Sequence, residues 1–349
     1  MSTLNTSKEH ALELFPRDVD ALIAEIGLPA FAGKQVIDWI YKKQVTSVDE
    51  MTNISKEKRL LLEERLFFRR SKCLKTQKAS DGTIKKLLSW DTGEKQTEAV
   101  MIPAKGRYTA CVSSQVGCPV KCTFCASGIG GLEGSLDVGQ IVEQVMALGA
   151  NDITNIVFMG MGEPLSNYTA VTRAIRILNA PWGLGIGARK ITVSTVGLPV
   201  AIEKLANFDI PVTLALSLHA PNDELRKELI PWARFSPIED ILKACSNYFD
   251  ATGREITLEY LLLGGVNDRT AQAKELVGLC KTLRCNVNLI RYNEVAELDY
   301  VRPKTEQVRR FQEVLVKAGV NTHIRASRGR DISAACGQLK REYNQITTE

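Results

Sequence analysis

Three cysteines stand close together in the stretch GCPVKCTFCAS, residues 117–127. Cys118, Cys122 and Cys125 follow the pattern C-x3-C-x2-C. A structural zinc site uses four ligands, usually from two paired motifs, and a 4Fe–4S cluster usually takes four cysteines. Three thiolates therefore favour a cluster with one iron open to a small ligand. Zinc, or buried thiols without a metal, remain as alternatives.

The other cysteines provide no second metal-binding pair. Cys280 and Cys285 lie far along the chain at a different spacing, and we expect them, with Cys245, to be structural. Nine cysteines in a chain with no visible export signal indicate reduced thiols and metal or redox chemistry, not a disulfide framework. The chain has only three histidines, which argues against a histidine-rich metal site.

The composition is that of an ordinary globular protein: 349 residues, 44% hydrophobic, 24% charged, with a net charge of +5. The mild positive charge is compatible with a polyanionic partner. No apolar run approaches the roughly 18 residues of a membrane-spanning helix, and the N-terminus lacks the apolar core of a signal peptide. We therefore expect a cytoplasmic monomer with no membrane partner.

Hydrophobic spacing divides the chain into three parts. Residues 1–73 carry apolar residues at three- and four-residue spacing, which predicts a small helical accessory module. We expect this module to bind RNA. Residues 74–106 contain TIKKLLSW and TEAVMIP on either side of the turn DTGEK, which predicts a β-hairpin extension. Residues 107–343 alternate between apolar strands and amphipathic helices.

That alternation predicts an α/β fold with parallel strands and right-handed crossovers, as in a complete or partial (β/α) barrel. The predicted strands are TACVSS, ITNIVFMG, RKITVST, PVTLALSL, EITLEYLLL, NVNLIRY and VNTHIRA. In such folds the active site gathers at the C-terminal ends of the strands. The cysteine triplet follows the first of these strands directly, so we expect it at that rim.

The triplet, with Phe124 before its last cysteine, resembles the signature of the radical S-adenosylmethionine (SAM) superfamily. Further stretches in order are FMGMGEPLSNY, ITVSTVGLP, LALSLHAPND, NVNLIRYNEV and GRDISAACGQL. Together they resemble the RlmN/Cfr family of adenine methyltransferases acting on 23S ribosomal RNA, over about residues 15–340. The resemblance implies a partial (β/α) barrel of radical SAM type, with SAM on the open iron of a 4Fe–4S cluster.

The family chemistry also implies roles for three residues outside the triplet. Cys336 matches the cysteine that receives a methyl group from a first SAM, which a second SAM then activates for addition to the adenine ring. Glu98 matches the base that removes the ring proton, and Cys111 matches the thiol that attacks Cys336 and forms a disulfide with it. Without the resemblance, both cysteines would be taken as structural and Glu98 as a surface carboxylate.

The resemblance further implies a set of SAM contacts at strand ends: Gly162, Glu163, Ser194, Ser217, Leu218, His219 and Asn293. A carboxylate at Glu163 suits the SAM ammonium group. The alternatives are that His219 is a rim histidine bonded to backbone and that the serines are strand-end caps. Two departures from the family pattern, Glu294 in place of proline and Ser127 in place of threonine, touch none of the reacting atoms.

The expected substrate is carbon 2 of an adenine in 23S ribosomal RNA, together with adenine in the anticodon arm of some transfer RNAs. A flavodoxin- or ferredoxin-like reducing system is the expected electron source. The alternatives are methylation at carbon 8, as in the Cfr branch, and a non-enzymatic RNA-binding protein with a structural cluster or zinc. Basic side chains that either contact RNA or form a solvated or ion-paired surface are Arg65, Arg69, Arg70, Lys72, Arg325, Arg328 and Arg330.

Overall fold

A computed structural model describes residues 8–90 and 95–340. Residues 91–94 of the predicted turn, residues 1–7 of the predicted module and residues 341–343 of the predicted core lie outside these ranges. The first part of the chain is helical, as predicted. Its elements are β1 (Glu9–His10), α1 (Pro16–Glu25), α2 (Phe31–Ile37), α3 (Lys56–Glu63) and β2 (Leu66–Phe67).

Local sequence explains where α1 begins. Pro16 occupies its first turn, where a missing backbone N–H costs nothing, and the Asp18 carboxylate accepts a hydrogen bond from Phe15 N at 3.0 Å. The apolar stripe of α1 buries Val19 and Ile23. The short strands β1 and β2 pair in parallel and close the module after α3.

An antiparallel ribbon follows. It consists of β3 (Ser71–Lys78), β4 (Ile84–Trp90) and β5 (Lys95–Ala104). The pairing of β4 with β5 confirms the predicted hairpin, whereas β3 was not predicted. Because β3 begins at Ser71, it crosses the position at which we divided the helical module from the extension.

The strands and helices of the remaining residues alternate as predicted, except that the short strands Gln115–Gly117 and Leu132–Ser135 and the helix Asp223–Leu229 were not predicted. The strands are β6 (Arg107–Cys111), β7 (Gln115–Gly117), β8 (Leu132–Ser135), β9 (Asn155–Phe158), β10 (Ile191–Thr195), β11 (Thr213–Ser217), β12 (Ile256–Leu262), β13 (Cys285–Arg291) and β14 (Thr322–Arg325). The helices are α4 (Val138–Ala147), α5 (Tyr168–Asn179), α6 (Pro199–Ala206), α7 (Asp223–Leu229), α8 (Ile238–Thr252), α9 (Thr270–Cys280) and α10 (Thr305–Lys317).

One large sheet organises the described residues, in the order β14-β13-β12-β11-β10-β9-β6-β5-β4-β3. Pairing is parallel from β14 to β6 and antiparallel from β6 to β3. The ribbon therefore extends the parallel sheet beyond β6. The sheet has β14 and β3 at its two ends, which agrees with the predicted partial (β/α) barrel.

The core of the sheet explains the apolar strands. Ile156, Val193, Leu214, Leu258 and Leu289 come from five successive strands and are fully buried. Continuous apolar runs are expected when both faces of a parallel sheet are covered. No helix within the described ranges combines the length and the apolar character needed to cross a bilayer.

Candidate active site

The cysteine triplet lies in a loop that leaves the rim of the sheet after β7. Gly117 starts this loop with φ of 74°, and a side chain there would place its Cβ 1.9 Å from the Gly131 carbonyl oxygen. The same carbonyl accepts a hydrogen bond from Cys118 N at 3.1 Å. The tight backbone approach between β7 and β8 thus fixes the first cysteine.

Cys118, Cys122 and Cys125 all line one cavity of about 140 Å³. Burial raises the pKa of Cys118 to about 12 and also raises the pKa of Cys122 and of Cys125. The buried Arg226 guanidinium opposes this increase at Cys122. Without a metal these thiols are therefore protonated, and metal binding would have to release their protons.

The loop after β9 forms another wall of this cavity. Gly162 has φ of 103°, and a Cβ there would lie 2.6 Å from Gln115 Cβ. The Glu163 carboxylate accepts hydrogen bonds from Val196 N at 2.8 Å and from Leu165 N at 2.9 Å. Burial raises the pKa of Glu163 to about 7, although these N–H donors oppose the increase. A cationic ligand in the cavity would favour its ionised form.

Two predicted serines meet at neighbouring strand ends. Ser194 on β10 and Ser217 on β11 line the cavity, and their hydroxyl oxygens are 3.2 Å apart. Parallel strands in register bring residues of similar position to the same edge of a sheet, so strand ends far apart in sequence share one rim.

His219 lines the cavity with its ring held in one orientation. Its Nδ1 accepts a hydrogen bond from Leu261 N at 3.0 Å, and its ring meets Phe124 edge to face at 5.2 Å. Burial and nearby Arg226 lower the pKa of His219 to about 3, so the ring is neutral. With Nδ1 as acceptor, the proton resides on Nε2, which is thus a hydrogen-bond donor. The neighbouring Leu218 is fully buried and is not among the described residues that line the cavity.

A second cavity, of about 320 Å³, adjoins the first. Cys111 lines only the second cavity, whereas Cys336 lines both. The other residues that line both are Met159, Ile290, Arg325 and Leu339. The structure thus places Cys336 at the boundary between the cysteine triplet and Cys111.

The two thiols at this boundary differ in exposure. Cys111 is buried, and burial raises its pKa to about 12. Cys336 is exposed to the cavity, yet its enclosed position raises its pKa to about 11. The Arg325 guanidinium opposes the increase at both thiols and pairs with the buried Glu259 carboxylate at 3.3 Å. Arg325 is therefore an ion-paired residue at the boundary of the two cavities.

Residues 329–340, which we call the Cys336 segment, are held from the triplet side. The Gly337 carbonyl accepts a hydrogen bond from Ala126 N at 2.9 Å, and the Leu339 carbonyl accepts one from the Ser127 hydroxyl at 2.6 Å. Ser127, which we expected to touch none of the reacting atoms, thus contacts this segment. Serine and threonine both supply the hydroxyl that this bond needs.

Asn293 follows β13 by two residues and lines the second cavity. Its amide donates a hydrogen bond to the Cys336 carbonyl at 3.4 Å and accepts one from Arg302 at 2.9 Å. The structure therefore brings Asn293 to the Cys336 segment, whereas five of the other predicted SAM contacts, all except Leu218, line the first cavity.

Glu98 lies on β5 and is 1% exposed. Its carboxylate pairs with Lys85 Nζ at 2.7 Å and accepts a hydrogen bond from Lys340 N at 2.8 Å. Glu98 does not belong to the described residues that line either cavity. It lies behind the Cys336 segment instead of in open contact with a ligand space.

Comparison with known protein families agrees with this geometry. Residues 112–277 match the model of the radical SAM superfamily, and residues 12–67 match the ribosomal RNA large subunit methyltransferase N-terminal domain. Over 329 residues the chain is 44% identical to the probable dual-specificity RNA methyltransferase RlmN of Caldanaerobacter subterraneus subsp. tengcongensis, covering 93% of this chain and 96% of the relative. The chain belongs to the RlmN family of radical SAM RNA methyltransferases.

Other relatives support the same family. The probable dual-specificity RNA methyltransferase RlmN of a Synechococcus strain is 46% identical over 327 residues, which cover 91% of this chain and 92% of the relative. A crystal structure of a radical SAM methyltransferase from Sphaerobacter thermophilus has a TM-score of 0.92 at 42% identity, covering 95% of this chain and 99% of that chain. The predicted family and fold are confirmed.

The residues present fit the cofactors that the radical SAM superfamily implies. Three cysteine sulphurs offer soft ligands to iron, and the buried Arg226 beside Cys122 favours negative charge there. Glu163 and the neutral His219 offer an acceptor and a donor on the same cavity. The site thus has the ligand types for a cluster and for a zwitterionic sulfonium cofactor.

Sequence reasoning missed several residues that build this RlmN-family site. Arg226 lies within DELRKEL, where its charge reads as a surface feature, yet it is 1% exposed. Its Nε donates to the Leu218 carbonyl at 3.1 Å, and its Nη2 donates to the Val196 carbonyl. Glu259 could have been found from the sequence more easily. It lies within the apolar strand EITLEYLLL, and a lone carboxylate buried in such a strand needs a charged or hydrogen-bonding partner.

Proposed function

We propose that this chain methylates carbon 2 of an adenine in 23S ribosomal RNA, and adenine in the anticodon arm of some transfer RNAs. The observation that carries the proposal is the position of Cys336 between the cavity of the cysteine triplet and the cavity of Cys111. In this position the Cys336 thiol could receive a methyl group in the first cavity and transfer it in the second. Membership of the RlmN family supports an RNA substrate.

Adenine carbon 2 is difficult to methylate because it has no lone pair with which to displace a leaving group. A radical route avoids this obstacle. Cys118, Cys122 and Cys125 would hold a 4Fe–4S cluster, and the SAM contacts would be Gly162, Glu163, Ser194, Ser217, Leu218, His219 and Asn293. The cluster with SAM would supply a methyl group and, after one-electron reduction, a radical that abstracts hydrogen.

Cys336 is the methyl carrier in this proposal. Its sulphur would carry the methyl group from a first SAM. In each turnover a second SAM would be used to abstract a hydrogen atom from that methyl group. The activated carbon bonds to the adenine ring, so RNA and Cys336 become covalently joined. The thiol must lose its proton to be alkylated, and Arg325 opposes the rise of the Cys336 pKa to about 11.

Glu98 and Cys111 would complete the reaction. Glu98, which lines neither cavity in this structure, would take the ring proton. The unpaired electron of the adduct would return to the cluster, and the Cys111 thiolate would then attack the Cys336 sulphur. The sulphur–carbon bond breaks, the carbon is protonated to the new methyl group, and a Cys111–Cys336 disulfide remains. Two electrons from a flavodoxin- or ferredoxin-like system would reduce that disulfide for the next turnover.

The second cavity is the proposed place for the target base. An adenine must leave its stack to reach a thiol at the boundary of two enclosed spaces. Apolar walls at Ile102 and Val157 and cationic groups at Arg107 and Arg328 line this cavity. Apolar surface suits the base, and the guanidinium groups suit the flanking phosphates.

The decisive experiment is mass spectrometry of nucleosides from 23S ribosomal RNA that lacks its native modifications. The RNA is incubated without oxygen with the reconstituted protein, SAM and a reductant. We expect 2-methyladenosine. Formation of 8-methyladenosine would support the carbon-8 alternative, and failure to cleave SAM would support the non-enzymatic RNA-binding alternative.

Two cysteine variants test the carrier role. Cys336→Ala should abolish product, whereas Cys73→Ala, which changes an exposed cysteine outside both cavities, should behave like the wild type. Product formation by Cys336→Ala would show that the methyl group does not pass through this sulphur.

A further inference from the structure

The β4–β5 ribbon holds a buried ion pair that faces the Cys336 segment. In the register of the ribbon, Glu98 is opposite Leu87 and Lys85 is opposite Val100. Lys85 and Glu98 are therefore diagonal neighbours on the same face. Lys85 is 5% exposed and Glu98 is 1% exposed, so each charge depends on the other for compensation.

This pair is bonded to the Cys336 segment at two points. Lys85 Nζ donates to the Ser333 carbonyl at 3.2 Å, and Glu98 accepts from Lys340 N at 2.8 Å. The two points lie on either side of Cys336 along the chain. Ser333 adopts a left-handed conformation with φ of 50°, which a non-glycine residue rarely takes without such anchoring.

The same ribbon also holds the start of the segment. The Asp81 carboxylate, in the turn between β3 and β4, accepts a hydrogen bond from Gly329 N at 3.1 Å. The Asp331 carboxylate accepts one from Ser80 N at 2.8 Å. The antiparallel ribbon thus supports the reactive segment from one side, and the loop at Ala126 and Ser127 holds it from the other.

We propose that Lys85 is a positioning residue, whose buried ammonium group fixes both the Glu98 carboxylate and the Cys336 segment so that the Cys336 sulphur stays between the two cavities. The proposal rests on the carrier role of Cys336 given above. Lys85 belongs to neither cavity lining, so it acts through Glu98 and Ser333 rather than on substrate. Reactive groups must be held to about 1 Å, and a displacement of that size can cost about 100-fold in rate.

The test compares three lysine variants. Lys85→Met removes the charge and keeps the apolar stem, and Lys85→Arg keeps a cation. Lys86→Met is the matched control, because Lys86 is adjacent on β4 but bonds to the Ala147 carbonyl at the end of α4. We expect Lys85→Met to lose about 100-fold in kcat with little change in KM for RNA. Lys85→Arg should recover much of this loss, and Lys86→Met should match the wild type.

Amide hydrogen exchange gives a readout that does not depend on the reaction. Residues 333–340 should exchange faster in Lys85→Met than in the wild type, while the strands of the parallel sheet remain protected. Should Lys85→Met fold poorly, Lys85→Met/Glu98→Gln removes both charges, and faster exchange in residues 333–340 is again expected. Normal exchange there, or a kcat equal to that of Lys86→Met, would overturn the proposal. If the wild type itself forms no 2-methyladenosine, the proposed function fails, and the exchange measurement alone decides the role of Lys85.

Discussion

At the scale of single residues, burial shifts the pKa of several ionisable groups of the site toward the neutral form. Burial raises the pKa of Glu163 to about 7 and of Cys111 to about 12, and it lowers that of His219 to about 3. Each shift disfavours the charged form in an enclosed space. A bound cofactor that brings its own charges would therefore alter the protonation of the residues around it.

The backbone at Gly162 requires a residue without a side chain. Gly162→Ala would force a side chain into φ of 103° and place its Cβ 2.7 Å from the Ser114 hydroxyl. We expect the free energy of unfolding to fall by about 1–3 kcal/mol, and SAM binding to weaken because the cavity wall moves. Thermal unfolding and calorimetric titration with SAM would measure the two effects.

Gly278→Ala is the control for this change. Gly278 lies within α9, and an added Cβ there meets nothing within 4 Å. The helix should gain about 0.4–1 kcal/mol, since alanine restricts the unfolded chain without strain. Equal behaviour of the two variants would contradict the backbone requirement at Gly162.

At the scale of elements, the ends of neighbouring strands are tied together by a side chain from the following helix. Arg226 on α7 donates to carbonyl groups that follow β10 and β11, those of Val196 and Leu218. Strand ends are where a sheet has no further ladder bonds, so buried carbonyls there need other donors. Arg226 supplies them at Leu218 and at Val196, which lines the first cavity.

Arg226→Met should therefore lower the free energy of unfolding by about 1–3 kcal/mol, because buried carbonyl groups lose their donor. It should also weaken SAM binding, since Ser217 and His219 adjoin the released strand end. The control is Arg284→Met, which removes an arginine that is 72% exposed and should change stability by less than about 0.5 kcal/mol. Urea unfolding of both variants would measure the free energy of unfolding. A similar decrease in Arg226→Met and Arg284→Met would refute the role given to Arg226.

At the scale of the whole molecule, the N-terminal helical part meets the core through a group of buried and half-buried ionisable residues. His10 is 4% exposed and stacks on Phe67 at 4.9 Å. Glu13 and Asp137 lie beside it, Arg70 pairs with Asp137, and Glu143 is 3.6 Å from the His10 ring. Burial and the nearby Asp137 raise the pKa of Glu13 to about 7.

This contact should make stability depend on pH. The folded-state pKa of Glu13 is raised above the unfolded value of 4.5. The contribution of Glu13 to the free energy of unfolding is therefore complete below about pH 4.5 and is lost as the pH rises through about 7. Glu13→Gln should therefore become more stable relative to the wild type between pH 5 and pH 8, by about 1 kcal/mol after partial solvent exposure is allowed for.

Melting temperatures of wild type and Glu13→Gln across that range would test this expectation. Burial lowers the pKa of His10, so His10 makes stability rise with pH, opposite to the effect of Glu13. Both proteins contain His10, so most of its effect cancels in the comparison. Glu203→Gln, at an exposed position on α6, serves as the control. A constant difference between wild type and Glu13→Gln would rule out the assigned titration.

The sequence predicted the parallel strands and most helices because their hydrophobic spacing is a local property. It also singled out Cys118, Cys122 and Cys125, because their spacing is local as well, although it missed the strand β7 just before them. The ion pairs Lys85–Glu98 and Arg325–Glu259 could not be predicted, because they join residues on separate strands that only the folded sheet brings together. The short helix α7 was missed because its charged surface gives little apolar periodicity.

The order of residues along the chain has a consequence for biosynthesis. Asp81, Lys85, Glu98, Ser127 and Asn293 all anchor the Cys336 segment, and all precede it in sequence. A chain is made from its N-terminus and can fold as it emerges from the ribosome. The cysteine triplet and those parts of the two cavity walls that precede residue 329 are thus synthesised before the segment that completes both walls. The thiol that would join the two cavities is the last part of the site to be synthesised.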